Sequence, residues 1–345
     1  MSFSHKILGW YRLNMRHLPW RKTRDPYLIW LSEIMLQQTR VEQGTPYYLK
    51  FAEKYPTIDL LAQAKEEEVL KLWQGLGYYS RARNLHATAK KVAFEMNGNF
   101  PNTYKELIKL KGVGDYTASA IASICFNEPK AVVDGNVYRV LARYFGVELP
   151  INSTEGIKYF KELATKVMNT EHIRDYNQGI MEFGSLQCAP KNPDCSLCPL
   201  NISCVAIQKN LVPTLPIKIK KTKVRKRFFN YLVIFNEKEE ISFQQRLGKG
   251  IWQNLWEFPL IESTKKIDKS TLMLEVEKLI ESKSITDFYL HNDKQIIHKL
   301  SHQHLYTSFW IIRTKEILDN ATPINTIKNY PVPVLLADFI KEIKT

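Results

Sequence analysis

The 345-residue chain lacks any uninterrupted apolar run of the roughly 18 residues that a membrane-spanning helix needs. Its opening, MSFSHKILGWYRL, lacks the basic, then apolar, then small order of a signal peptide. Membrane insertion and secretion are therefore not expected, and the cytoplasm is, with nucleoid association if the source is bacterial. Cysteine is scarce: five residues are too few for a disulfide scaffold in a chain this long. Acid is short as well. Asp and Glu number 35 against 49 Lys and Arg, a formal charge of +14 that suits a polyanion whose neutralised phosphates release counterions. With 44% hydrophobic residues, an ordinary buried core is within reach and disorder is not expected.

Length argues for about two domains. Residues 1–208 read as one helical domain, helix after helix through 187, with apolar positions three and four apart at Leu60, Leu61, Ala64, Val69, Leu70 and Trp73. Thr103 to Glu106 reads as a capping box that opens a short helix through Lys109, and Asp115 as the cap of the next. That second helix carries Ala118, Ile121, Ala122 and Cys125 on one face, so Cys125 reads as core. Residues 209–227 read as a basic linker: two prolines stop any helix, and seven of the ten residues 218–227 are basic. Residues 228–345 read as an α+β unit, with strands at 228–235, 241–246 and 305–312 and helices near 270–282 and 335–343.

Four of the five cysteines fall within residues 188–204, spaced Cys188-x6-Cys195-x2-Cys198-x5-Cys204. Four thiolates on a short loop suit tetrahedral zinc or a cubane iron–sulfur cluster. A single close pair, and prolines at 190, 193 and 199, lean toward iron–sulfur. Leu110-Lys111-Gly112-Val113-Gly114 joins two helices through a glycine turn whose amides can hold a phosphate oxygen. Glu33 sits among Trp30, Leu31, Ile34, Met35 and Leu36, where burial would raise its pKa and make it a proton donor. Asp134, before Gly-Asn, has the character of an N-cap.

The hairpin, its continuation Tyr116-Thr117-Ala118 and the run Ala131 to Val137 resemble the endonuclease III superfamily of DNA glycosylases from about residue 10 to 205. Within it, Trp30 to Thr39, Gly75 to Leu85 and Asp134 to Val137 resemble the MutY-type adenine DNA glycosylases. The resemblance implies a mainly α, helix–hairpin–helix glycosylase region of two helical subdomains. It also implies a [4Fe–4S] cluster on Cys188, Cys195, Cys198 and Cys204. Glu33 is then the residue that protonates the adenine, Asp134 the carboxylate that stabilises the sugar cation, and Asn136 its support. Tyr116 stands where bifunctional relatives carry a Schiff-base lysine, which implies base removal without strand cleavage. Gln38, Thr39, Tyr78, Gly112 and Gly114 match DNA-contacting positions. Trp20, Arg21, Leu36, Val41 and Gln178 match positions around an extruded adenine.

The C-terminal unit resembles a Nudix-like domain through Gly250 to Pro259, but no R-E-x-x-E-E metal helix follows, so pyrophosphatase activity is not expected. Leu300-Ser301-His302 aligns with a Phe-Ser-His loop, and implies 8-oxoguanine recognition by Ser301 and His302 despite the leucine. The expected partner is duplex DNA with adenine opposite 8-oxoguanine or guanine, bound by a monomer. Two rivals remain. A bifunctional pyrimidine glycosylase/lyase is disfavoured by Tyr116, and a non-catalytic iron–sulfur DNA-binding protein would leave Glu33 and Asp134 as a surface acid and a cap.

Overall fold

A computed structural model describes residues 2–219, 224–319 and 321–343. The chain forms two compact units: Met1–Gln63 with Asn84–Lys220, and Ala64–Arg83 with Lys221–Thr345. This division does not follow the linear order read from the sequence, because residues 64–83 leave the helical unit and join the C-terminal one. Residues 220–223 of the basic linker lie outside the described residues, and the first strand already begins at Arg225.

The first unit holds helices α1 (Phe3–Asn14), α2 (Pro26–Leu36), α3 (Val41–Lys54) and α4 (Ile58–Gln63). Helix α5 (Glu66–Leu72) belongs to the second unit, and α6 (Ser80–Glu95) starts there and returns to the first. Then follow α7 (Tyr104–Leu107), α8 (Asp115–Phe126), α9 (Gly135–Phe145), α10 (Thr154–Val167), α11 (Ile173–Leu186) and the short α12 (Val205–Gln208). Local chemistry sets several of these. Asp25 caps α2 by accepting from Tyr27 N at 2.8 Å, with Pro26 in the first turn. Helix α2 is apolar nearly all round and is buried from Tyr27 to Met35 apart from Leu28.

The expected capping box at Thr103 does not form. Its side chain makes no cap bond, the helix stops at Leu107, and Tyr104 N donates instead to Glu128 Oε2 at 2.6 Å. That carboxylate, from the loop after α8, takes the first amide of α7, and no side chain of the helix's own start serves as cap. Likewise Gly114, not Asp115, is the N-cap of α8. Asp115 turns outward to Tyr104 Oη and Lys161 Nζ. Cys125 is half-buried, and burial pushes its thiol up to about 12.

In the second unit, β1 (Arg225–Phe235) is the centre of the main sheet. Around it lie β2 (Glu240–Ser242), β5 (Leu260–Ser263), β6 (Ile285–Leu290), β7 (Ile296–Lys299), β8 (Gln303–Thr314) and β9 (Ala321–Pro323). Strands β3 (Gln244–Gln245) and β4 (Trp256–Glu257) form a separate ribbon. β1 runs parallel to β8 over their full overlap, Arg225 opposite Gln303 and Phe235 opposite Arg313. One sheet face buries Leu232, Ile234, Trp310 and Ile312 under Leu272 and Val276 of α13 (Lys269–Val276). On the other, Phe339 of α14 (Val334–Glu342) stacks on Phe309 at 3.7 Å. Among the described residues, no helix is long and apolar enough to cross a membrane.

Gly184 on α11 meets the start of α9 so closely that a Cβ there would lie 2.7 Å from Asn136 Cβ and 2.8 Å from Asn136 O. Gly184→Ala is expected to cost about 1–3 kcal/mol, the penalty of overpacking a rigid contact. Urea denaturation checks it: an unchanged midpoint would mean that the two helices can part freely.

Candidate active site

Glu33 lies on the buried stretch of α2 and is 9% exposed. Burial pushes its carboxyl up to about 7, with the charge of Asp134 adding to the rise. A hydrogen bond from Tyr116 and the charge of Arg21 hold it from going higher. The Tyr116 hydroxyl also points to Met181 Sδ at 3.1 Å. Asp134 is the N-cap of α9 and accepts from Asn136 N at 2.9 Å, Val137 N at 2.8 Å and Asn136 Nδ2 at 2.8 Å. Burial raises its pKa too, but those three N–H groups and the nearby Arg139 work against the rise. Two carboxyl groups in one site thus face different surroundings, one nearly dry and one held by donors.

Behind this pair stands a chain of bonds. Arg139 Nη2 donates to Asn136 Oδ1 at 2.9 Å and to Gly184 O, and its Nε donates to Cys188 O at 2.7 Å. One turn on, Arg143 donates to Leu215 O at 3.1 Å, Ala189 O at 2.7 Å and Pro190 O at 3.2 Å, and lies 3.5 Å from Cys188 Sγ. Helix α9 therefore carries Asp134 at its start and fixes the cysteine loop from its buried face.

The loop itself has four free thiols. Cys188, Cys195, Cys198 and Cys204 line one cavity of about 30 Å³, and the charges of the other three all act on Cys198. Among the described residues, no three His, Cys, Asp or Glu side chains converge on a point where they could hold a metal ion. Four soft donors round a common void, with a guanidinium beside one of them, are a donor set that suits a soft, thiolate-bound metal group.

Glu182 was not legible as a site residue. From α11, and 1% exposed, it takes Arg16 Nη2 and Arg21 Nη2 at 2.8 Å each. Burial raises its carboxyl, but the two guanidiniums outweigh that and hold it at about 2. Arg21, through this pair, is fixed near Glu33. Arg21 and Gln178 also line a cavity of about 350 Å³ with Arg12, Arg16, Lys22 and Arg174. Trp20, Leu36 and Val41 do not line it: Trp20 packs edge-on against Tyr48, and Leu36 fills the space over Gly44.

Gln38 and Thr39 follow α2, and Gln38 is exposed with φ of 56°. Gly112 has φ of 79° in the hairpin, where a Cβ would lie 2.8 Å from Asn84 Cβ, and Gly114 is open to solvent. In the second unit Tyr78, with φ of 47°, is 45% exposed, and its hydroxyl donates to Ser301 Oγ at 3.3 Å. His302 lies beside it, Nδ1 3.4 Å from Ser301 Oγ.

The profile of the HhH-GPD superfamily base excision DNA repair proteins matches residues 31–174, and that of the NUDIX domain residues 230–342. The chain is 37% identical over 321 residues to the adenine DNA glycosylase of Buchnera aphidicola subsp. Baizongia pistaciae, covering 91% of this chain and 87% of that protein. It is 32% identical over 381 residues to the adenine DNA glycosylase of Homo sapiens, covering 94% and 69%. Among solved structures, a thermostable thymine-DNA glycosylase superposes with a TM-score of 0.56 at 34% identity, covering 60% of this chain and 95% of that one. Endonuclease III in a non-covalent DNA complex superposes with a TM-score of 0.53 at 23% identity, over 60% and 94%, and shares the fold.

Between its ordinary value of 4.5 and about 7, Glu33 binds a proton in the folded chain that it has lost in the unfolded one. Its contribution to folding is therefore present at low pH and falls away as the pH rises through about 7. Glu33→Gln removes that loss, so the variant is expected to exceed the parent by on the order of 2–3 kcal/mol at pH 8, with the gap closing toward pH 5. Urea midpoints at the two pH values test this, and a variant less stable than the parent at pH 8 refutes the dry environment.

Proposed function

Because the chain belongs to the adenine DNA glycosylase family and is a hydrolase of N-glycosyl bonds acting on adenine in base excision repair, we propose that it removes adenine mispaired with 8-oxoguanine or guanine in duplex DNA without cutting the strand. The observation that carries this is the buried Glu33 beside Tyr116, its carboxyl raised to about 7 by burial, with the capped carboxylate of Asp134 in electrostatic reach. The target base leaves the stack, at a cost of a few kcal/mol, and enters the first unit's site. Glu33 gives its proton to a ring nitrogen as the sugar–nitrogen bond breaks, so the base departs neutral. Positive charge then grows on the sugar, and the Asp134 carboxylate offsets it until water adds to the anomeric carbon and its released proton returns to the Glu33 carboxylate, restoring the acid.

Asn136 keeps one Asp134 oxygen in place, and Arg21, held by the buried Glu182, offers a donor to the polar edge of the purine. Trp20, Leu36, Val41 and Gln178 belong to the same adenine-facing set. Tyr116 has no amine, so no Schiff base forms and the abasic site is left intact. Gln38, Thr39, Tyr78, Gly112 and Gly114 contact the DNA. Ser301 and His302 offer hydrogen bonds to the oxidised guanine. The first unit, residues 1–63 with 84–220, acts as the catalytic domain and the second, which takes in residues 64–83, as the opposite-base reader, in one monomer. Cys188, Cys195, Cys198 and Cys204 would hold a [4Fe–4S] cluster, which supplies a rigid anchor for its loop. Here the same α9 that holds the loop also caps on Asp134, so cluster and carboxylate share one support.

Single-turnover assays on duplexes with adenine opposite 8-oxoguanine or guanine, or carrying thymine glycol, with and without hot alkali, test the reading. Adenine loss whose strand break needs alkali is expected. A break without alkali would favour the lyase, and no loss from any duplex a binding protein. Protonated Glu33 being the active form, the rate is expected to fall as pH rises through about 7. Asp134→Asn should lower the rate by about 100-fold or more while DNA binding persists. Iron and acid-labile sulfide in the purified protein, lost in Cys198→Ser, check the cluster; a zinc-only protein would refute it.

A further inference from the structure

Residues 64–83 pack as part of the second unit. Lys71, half-buried on α5, spends its ammonium on three acceptors of that unit: Lys328 O at 2.6 Å, Tyr330 O at 2.9 Å and Gln74 Oε1 at 3.3 Å. Gln74 Oε1 in turn accepts from Val332 N at 3.2 Å, and Tyr79 Oη donates to Val332 O at 3.3 Å. The carbonyl segment is itself fixed, because Tyr330 packs on Trp256 at 4.4 Å and Trp256 N donates to Pro331 O at 2.8 Å. At the two ends of the segment, Asn254 Nδ2 donates to Glu66 Oε1 at 2.6 Å and Arg83 Nη1 to Gln253 O at 2.8 Å. What this clamp holds is the turn with Tyr78, whose left-handed backbone presents a hydroxyl to Ser301 Oγ. None of the three Lys71 bonds reaches Tyr78 or Ser301 themselves.

We propose that Lys71 is a positioning residue for discrimination of the base opposite the adenine: its ammonium ties the Tyr78 turn to the 328–332 segment, so that Tyr78 and Ser301 meet that base as one preformed pair. This rests on the reading that Ser301 recognises 8-oxoguanine. A tetrahedral ammonium meets three convergent acceptors in a way that an uncharged side chain cannot, and the planar guanidinium only in part.

The test compares single-turnover adenine release opposite 8-oxoguanine and opposite guanine, with the full chain and Lys71→Met, Lys71→Arg, Ser301→Ala and the double variant K71M/S301A. Hydrogen bonds to a charged group justify a loss of about tenfold in the ratio of the two rates for Lys71→Met. That loss should fall on the 8-oxoguanine duplex, with the guanine duplex within about twofold. Lys71→Arg should recover most of the ratio. The double variant should lose no more than the larger single loss, since both changes dismantle one pair. A merely structural lysine would lower both rates together and leave the ratio intact, which overturns the proposal while Ser301→Ala still lowers it. If Ser301→Ala leaves the ratio unchanged, the reading of the opposite base fails first and the proposal falls with it. Should Lys71→Met not fold, judged by its thermal circular dichroism transition, Glu66→Ala releases the same segment at its other end. It must then show the same ratio loss, and an unchanged ratio in that variant overturns the proposal.

Discussion

Everything in the first unit answers to one constraint: two carboxyl groups must share a buried site and yet be held in different surroundings. Desolvation alone would raise both. The difference comes from what each is given. Asp134 receives two backbone amides, an amide side chain and the charge of Arg139. Glu33 receives a neutral phenol and the more distant Arg21. An N-cap position supplies amides at no extra cost, since the first turn of α9 needs an acceptor anyway. The helix terminus is thus both a structural device and the means of separating the pair.

Keeping that separation requires that charges around the site stay where they are. Arg21 lies within electrostatic reach of Glu33, and Glu182 pins it, together with Arg16, through its two oxygens. Arg139 and Arg143, buried on α9, satisfy themselves on backbone carbonyls of the cysteine loop rather than on acids. Removing either would strip several partly buried carbonyls of their partner. The loop and the capped helix are consequently one mechanical piece, and Gly184 lets α11 close against it.

What was legible in the sequence follows from range. The cap at Asp134, the buried setting of Glu33 and the strand character of residues 228–235 depend on neighbours within a turn or a pleat, and each reading agrees with the structure. The capping box at Thr103 was equally local and did not form: the Glu106 amide bonds the Thr103 carbonyl instead of its side chain, while Glu128 takes the neighbouring Tyr104 amide from across the hairpin. Glu182 was hidden for a related reason: its partners lie more than 160 residues away, and only the meeting of α11 with the chain after α1 reveals them. Strands β5, β6, β7 and β9 are short, and their exposed positions blur the alternation that would mark them. No periodicity could show that residues 64–83 pack with a unit that begins some 140 residues later, since that depends on Lys71, Gln74 and Tyr79 finding main-chain partners there.

Backbone strain gives the second unit its sharpest feature. Tyr78, Trp252 and Asn254 all hold left-handed φ without being glycine, at a cost of order 1–3 kcal/mol each where nothing compensates. Each is over-determined by its surroundings. Arg246 Nε donates to Ile251 O and Asn254 N donates to Arg246 O, while Trp252 packs edge-on against Phe229. Arg246 is in turn fixed by the buried Glu257, which also accepts from Tyr231 in the sheet core. The strained turn at Asn254 can therefore present its side chain to Glu66 only because the sheet beneath it is rigid. The turn at Tyr78, lacking a sheet of its own, borrows that rigidity through Lys71 and its neighbours. Tyr78 is thus an exposed side chain in a left-handed turn whose flanking residues, Lys71, Gln74 and Tyr79, are tied to the 328–332 segment.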